Sequence, residues 1–146
     1  MHVTLFDRAP IYYPPEHYDM RCLRLQGHEA GPSDMLWLGM SQTLPGGHTS
    51  LDASAVEKLY FVLEGELTVE TSEGETTLGS FDSCRIAPNE ARALKNKSNK
   101  PVLVLLSMPL AEPADTVRTR WSREGTSRFR CREPPLSNTA LLGTVF

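Results

Sequence analysis

The stretch Pro45-Gly46-Gly47-His48-Thr49-Ser50-Leu51-Asp52-Ala53-Ser54-Ala55-Val56-Glu57-Lys58-Leu59-Tyr60-Phe61-Val62-Leu63-Glu64-Gly65-Glu66-Leu67-Thr68-Val69 decides the fold. Its apolar residues come in short runs, Leu59 to Leu63 and Leu67 to Val69, and the breaks fall at Pro45-Gly46-Gly47 and Glu64-Gly65. Branched and aromatic side chains suit a pleated, half-buried surface, and Gly- and Pro-rich breaks mark turns. The same punctuation continues on both sides. Met35 to Leu38 precedes the stretch, breaks at Glu73-Gly74, Gly79, Pro88-Asn89 and Asn96 to Pro101 follow it, and Val102 to Leu106 forms a further run. Runs of period two at this spacing predict many short strands, with no helical stripe of about twelve residues among them. An all-β domain follows, an antiparallel barrel or jelly-roll sandwich.

The flanks differ from this middle. Residues 1–30 carry Pro10, Pro14, Pro15, Tyr12, Tyr13 and Tyr18 without a sustained period, and only Met20 to Leu25 reads as strand. We read them as an irregular lead-in packing on the barrel, and residues 31–112 as the barrel itself. Residues 113–146 read as a C-terminal arm. From Ala111 to Phe146 there are six Arg, no Lys and four acids, a local charge of about +2, with one short helix expected around residues 114–123. Apolar Leu141, Leu142, Val145 and Phe146 close the chain.

Composition narrows the function classes. The 146 residues amount to one domain, and 40% apolar with 23% charged residues is ordinary for a globular protein. Fifteen Lys and Arg against 18 Asp and Glu give a net charge of −3, so the global basic field of a nucleic-acid binder is absent. No apolar run approaches the roughly 20 residues of a membrane span. The opening Met1-His2-Val3-Thr4-Leu5-Phe6-Asp7-Arg8 lacks the pattern of a secretion signal, so a cytoplasmic location is expected. Cys22, Cys84 and Cys131 are widely spaced with no C-x-x-C pair, which suggests reduced thiols rather than a disulfide framework or zinc knuckle.

The P-G-G turn followed by a tyrosine-containing strand ending Leu63-Glu64-Gly65-Glu66-Leu67 resembles the first motif of the cupin superfamily. The segment Phe81-Asp82-Ser83-Cys84-Arg85-Ile86-Ala87-Pro88-Asn89-Glu90-Ala91-Arg92-Ala93-Leu94-Lys95-Asn96 is similar to its second motif. Together they cover roughly half the chain, and the resemblance implies a single RmlC-like jelly-roll barrel. Metal-using cupins place two His and a Glu in the first motif and a further His in the second. By that frame the four ligand positions fall at Asp52, Ser54, Lys58 and Arg92. Lys and Arg offer donors only, and a divalent metal wants imidazole or carboxylate, so the expectation is no metal and no cofactor.

Alternation along a strand then puts Tyr60 on the face of Lys58. Arg92 brings a planar fork suited to a carboxylate or phosphate, and a desolvated Lys beside another cation can exchange protons near neutral pH. The expected catalytic set is Lys58, Tyr60 and Asp52, with Arg92, Ser54, Gln42 and Trp37 binding substrate. The expected ligand is a small anionic, carboxylate-bearing metabolite undergoing isomerisation, dehydration or decarboxylation. Two alternatives stand beside this one: a non-catalytic binding or regulatory cupin, and a metal-dependent oxygenase using His48, Asp52 and Glu57. Structural ion pairing of Lys58 and Arg92 with Asp52 or Glu90 is the plainer account of those two cations. His2, His17 and His28 show no ligand spacing. The resemblance further implies a homodimer, and neither nucleic acid nor membrane is expected as a partner.

Overall fold

Each run of branched and aromatic residues becomes a strand. The computed structural model describes residues 1–110, so the arm at residues 113–146 and its expected helix lie outside the described residues. Among the described residues there are nine strands. They are β1 (Ile11–Tyr12), β2 (His17–Gln26), β3 (Leu36–Thr49), β4 (Lys58–Glu64), β5 (Leu67–Thr71), β6 (Gly74–Leu78), β7 (Ser83–Ile86), β8 (Arg92–Lys95) and β9 (Val102–Pro109). The strand order is β6-β5-β8-β3-β9-β4-β7, with β2 on β3 and β1 on β2. Every pairing is antiparallel. This is an all-β jelly-roll barrel, as the strand pattern predicts.

Two expectations need correction. The lead-in is more regular than its composition suggests, because β2 pairs with β3 from His17↔Thr49 to Gln26↔Leu38. Positive φ at Glu16 and Asp19, and register shifts between Tyr18 and Met20 and between Arg24 and Gln26, break the period that would have revealed it. Pro45-Gly46-Gly47, in turn, bends one long strand instead of ending it. Gly46 takes φ 81°, and a Cβ on Gly47 would lie 2.8 Å from both the Asp19 carbonyl and Thr43 Cγ2. Gly46 N donates to Asn96 O and Asn96 N to Gly47 O, both at 2.9 Å. Through this bend β3 pairs with β9 along Leu36–Thr43 and then with β8 at His48.

Alternation sorts the side chains into an inside and an outside. On β4, Lys58, Tyr60 and Val62 are buried, whereas Leu59 and Phe61 are exposed. Cross-strand partners share a face, so Tyr60↔Leu106 and Gly39↔Leu106 place Gly39 inside, along with Trp37, Ser41 and Thr43. The interior is filled by Tyr60, Val62, Leu67, Val69, Leu78, Ile86, Leu94, Val102 and Val104. Burying side chains such as Val62, Leu67 and Val102 contributes about 2 kcal/mol each. A smaller cluster of Ala9, Leu23 and Met40, with Leu25, Leu63, Leu103 and Leu105, lies where the lead-in covers the outer face of the sheet.

Two further features close the barrel at the end away from the starts of β4 and β8. Gly65, at φ 89°, turns the chain from β4 into β5, and a Cβ there would lie 2.9 Å from the Pro101 carbonyl. Asn96 is buried, its Nδ2 donating to the carbonyls of Thr43 (3.0 Å) and Lys100 (2.7 Å) while its Oδ1 accepts from Ser98 N (3.0 Å). One amide thus ties the end of β8 to β3 and to the turn into β9.

Candidate functional site

Two strands begin at the barrel mouth with a cation pointing inward. Lys58 opens β4 and Arg92 opens β8, and they are only 7% and 5% exposed. Charged side chains are rarely this buried unless paired or functional. Arg92 is held from two sides: Nε donates to Tyr60 Oη at 3.1 Å and Nη1 to the Asp52 carbonyl at 2.6 Å. The Asp52 carboxylate stands 3.6 Å from Nη1. Backbone bonds from Asp52 N to Arg92 O (3.1 Å) and from Arg92 N to Asp52 O (3.0 Å) clamp the loop before β4 onto β8. Lys58 Nζ takes part in none of the described side-chain hydrogen bonds or ion pairs.

The electrostatics follow from this burial. Desolvation and the neighbouring Arg92 charge lower Lys58 from 10.5 to about 8, against an opposing pull from Asp52. Desolvation raises Tyr60, with Arg92 working the other way, so its phenol stays protonated at neutral pH. The ion pair with Asp52 is the plainer role anticipated for Arg92, and the structure contains it. Its Nη2 makes none of the described hydrogen bonds.

The remaining expected residues separate. Trp37 faces the interior, and Trp37↔Met108 is the register step beside Leu38↔Ser107↔Leu59, which puts Trp37 level with Lys58 across β9. Gln42 does not belong to the site. It lies five residues from Trp37, an odd step along a strand, and it pairs with Leu103 and Arg21 on the outer face. Ser54 commits its hydroxyl hydrogen to the Val56 carbonyl at 3.0 Å and so shapes the loop, and none of the described hydrogen bonds joins it to Lys58, Arg92, Tyr60 or Asp52. The alternative ligand set also disperses, because Glu57 pairs with Arg85 and His48 Nδ1 bonds to Gly46 O at 3.2 Å. Among the described residues no three His, Cys, Asp or Glu side chains group closely enough to hold a metal ion. The groups at this mouth, the Asp52 carboxylate and the His17 imidazole beside two cations, are too few donors in too positive a setting to fit a divalent metal.

Sequence reasoning missed two residues of the barrel lining. His17, on β2, faces inward with Thr49, and the charges of Arg92, Lys58 and Asp52 all reach it. Arg24 sits in the corner of two perpendicular rings, Tyr12, 3.8 Å from its guanidinium carbon, and Trp37, at 4.1 Å. Its Nε lies 3.4 Å from Glu29 Oε2, and neither its Nε nor its Nη1 has a hydrogen bond. Arg24 lies in the Met20–Leu25 stretch that reads as strand, and what the sequence does not supply is its register, Arg24↔Gly39. Away from the mouth, an apolar groove of about 410 Å³ runs over the outer face of β3, β9, β4 and β7, lined by Leu38, Leu59, Phe61, Arg85, Leu105 and Ser107.

A jelly-roll barrel with its polar residues gathered at the strand starts of one mouth defines the class, and the comparisons agree. The chain belongs to the cupin superfamily: the cupin domain model matches residues 40–108. A β-D-galactosidase of Mycobacterium tuberculosis is 38% identical over 116 residues, 78% of this chain and the whole of that protein. Among solved structures, the polyketide cyclase RemF from Streptomyces resistomycificus superposes with a TM-score of 0.69 at 17% identity, over 77% of this chain and 82% of that one. A cupin-superfamily sugar phosphate isomerase from Silicibacter pomeroyi gives 0.58 at 20% identity, over 64% and 60%. At these identities the two structures speak for the fold alone. Among the described residues no helix is long and apolar enough to cross a membrane.

Proposed function

We propose that this chain is a metal-independent cupin enzyme that binds a small carbohydrate at the barrel mouth and acts on it by acid/base chemistry, β-galactosides being the first substrates to test. The observation that carries the reading is the pair of buried cations, Lys58 and Arg92, gathered with Tyr60 and Asp52 at one mouth. The choice of carbohydrate rests on the 38% identity to a β-D-galactosidase. Glycoside hydrolysis needs a proton for the leaving oxygen and negative charge or a base near the anomeric carbon. Lys58, protonated below about 8, supplies the proton. Asp52, at the rim, supplies negative charge, and Arg92 binds a substrate oxygen through Nη2. Tyr60 fixes the Arg92 guanidinium.

One observation favours a second reading. Two cations against one carboxylate favour a substrate that is itself anionic, such as a sugar acid, with Lys58 moving a proton next to its carbonyl in an isomerisation, dehydration or decarboxylation. Support for a homodimer comes from the exposed Leu59, Phe61 and Phe81 beside the outer groove, and light scattering would measure it. A cytoplasmic location belongs to the same proposal.

The test compares wild type with Lys58→Met and Gln42→Ala on nitrophenyl β-D-galactoside and a panel of sugar acids, before and after dialysis against a chelator. Hydrolysis that survives the chelator, is lost in Lys58→Met and is unchanged in Gln42→Ala is the expected result. Turnover of acidic compounds alone selects the second reading. Saturable thermal shifts without conversion make the protein a binding module, and activity that needs added metal refutes metal independence.

A further inference from the structure

His17 is the titratable group at the mouth to which the mechanism above gives no task. Its Nδ1 lies 2.7 Å from the Pro15 carbonyl. A carbonyl oxygen can only accept, so Nδ1 carries the hydrogen, and in the neutral ring the lone pair is on Nε2. Register pairing with Thr49, a buried residue whose Oγ1 accepts from Leu94 N at 3.0 Å, turns the His17 side chain inward. Its neighbour Tyr18 faces away and stacks on His48 at 4.9 Å between ring centroids. His17 is half-buried, so it sits at the rim where a substrate can reach it. Three charged groups bear on it: Arg92 from β8, Lys58 from β4, and Asp52 from the loop before β4.

We propose that His17 is the general base of this site, taking a proton at Nε2 while Lys58 gives one from Nζ. The inference rests on the acid/base reading above and names the second partner that such chemistry needs. Charge supports the division of labour. Burial lowers the His17 imidazole below its ordinary 6.5; its bond to Pro15 opposes this, and so does Asp52, whereas Arg92 and Lys58 add to it. Lys58 titrates near 8. Near pH 7 the ring is therefore neutral and the amine protonated, which is the state a base and an acid need to act together.

On a β-galactoside the step balances as follows. Water gives a proton to His17 Nε2 and bonds through its oxygen to the anomeric carbon. The bond from that carbon to the leaving oxygen breaks with its electron pair on the oxygen, which takes the proton from Lys58 Nζ. His17 then releases its proton to solvent, and Lys58 regains one. A single displacement of this kind inverts the anomeric centre, whereas attack by Asp52 through a covalent intermediate would retain it.

The experiment uses the full chain. Nitrogen-15 NMR of the imidazole is expected to give the Nδ1–H tautomer and a midpoint below 6.5; the Nε2–H tautomer or a higher midpoint overturns the proposal. In kinetics, kcat/KM of the wild type falls on the acid side as His17 is protonated and on the alkaline side as Lys58 loses its proton. His17→Asn can keep the bond to Pro15 through its side-chain amide but has no Nε2. We expect it to fold, to lose about a hundredfold or more in kcat/KM and to lose the acid limb while keeping the alkaline one. His17→Gln repeats the test should the Asn variant fold poorly. A folded variant with full activity, or with the acid limb intact, overturns the role of His17 alone. A retained anomer assigns the attack to Asp52 and overturns it too. A wild type that converts no member of the panel takes down the acid/base reading, and this inference with it.

Discussion

Replacing Lys58 by Met should make the protein more stable and inactive. The Lys58 ammonium is 7% exposed, and its proton affinity falls from 10.5 to about 8 on folding. Each tenfold change is about 1.4 kcal/mol, so holding the charge inside the barrel at pH 7 costs about 3 kcal/mol. The sign follows from proton counting. Between about 8 and 10.5 the unfolded chain keeps a proton that the folded one has released, so stability rises with pH across that window. Below about 8 both states are charged, and the cost is present in full. Met keeps the unbranched aliphatic stem and removes the charge. Its imperfect fit offsets part of the gain, leaving about 2 kcal/mol at pH 7. Urea unfolding of wild type and variant at pH 7 and pH 10 reads this directly. The variant is expected to lead at pH 7, with the gap narrowing by pH 10. A variant less stable at pH 7, or a gap equal at both pH values, would refute the claim that Lys58 is a buried charge that Asp52 compensates only in part.

Other perturbations test the frame around it. Tyr60→Phe removes the acceptor of Arg92 Nε and leaves a buried charged N–H unpaired, at a cost of about 1–3 kcal/mol in thermal or urea unfolding. No loss of stability would mean that this bond does not hold the guanidinium. Asn96→Ala removes both carbonyl contacts and the acceptor for Ser98, and should cost about 2–3 kcal/mol. Gly65→Ala forces a side chain into φ 89° with its Cβ 2.9 Å from the Pro101 carbonyl, and a cost above about 1 kcal/mol in the same assay is expected.

Much of this protein was legible from local chemistry. Strands β4 and β9 follow from strict alternation, and Lys58 and Tyr60, two apart on one strand, had to share a face. The burial of Arg92 was reached through the motif frame and then found at the start of β8. The same alternation rule would have separated Trp37 from Gln42, five residues apart, and its neglect placed an outer residue in the site. His17 was out of reach for a different reason: the left-handed residues Glu16 and Asp19 and the register shift between Tyr18 and Met20 erase the period around it, and only pairing with β3 restores it. Arg24 falls in the stretch read as strand, but the neighbours it meets depend on a register that sequence does not fix. Ser54 illustrates a third limit, because whether a hydroxyl serves a loop or a ligand depends on a neighbouring carbonyl that sequence does not position.

The placement of the cations shows how little the fold asks of the side chains at its mouth. Lys58 and Arg92 are first residues of their strands, where the backbone is fixed by the ladder on one side and the side chain reaches the mouth on the other. Main-chain pairing at these positions, Lys58↔Ile86 and Arg92↔Thr71, makes no demand on side-chain type. The barrel can therefore carry very different side chains at these points, here an amine and a guanidinium. What burial of two cations requires is local compensation. Arg92 obtains it from Tyr60 and Asp52, whereas no described ion pair or side-chain hydrogen bond serves Lys58, which answers burial by giving up proton affinity. A buried amine that releases its proton near neutral pH is a poor structural element and a good proton donor, so on the proposed acid/base reading the group that costs the fold stability is also the one that gives the proton.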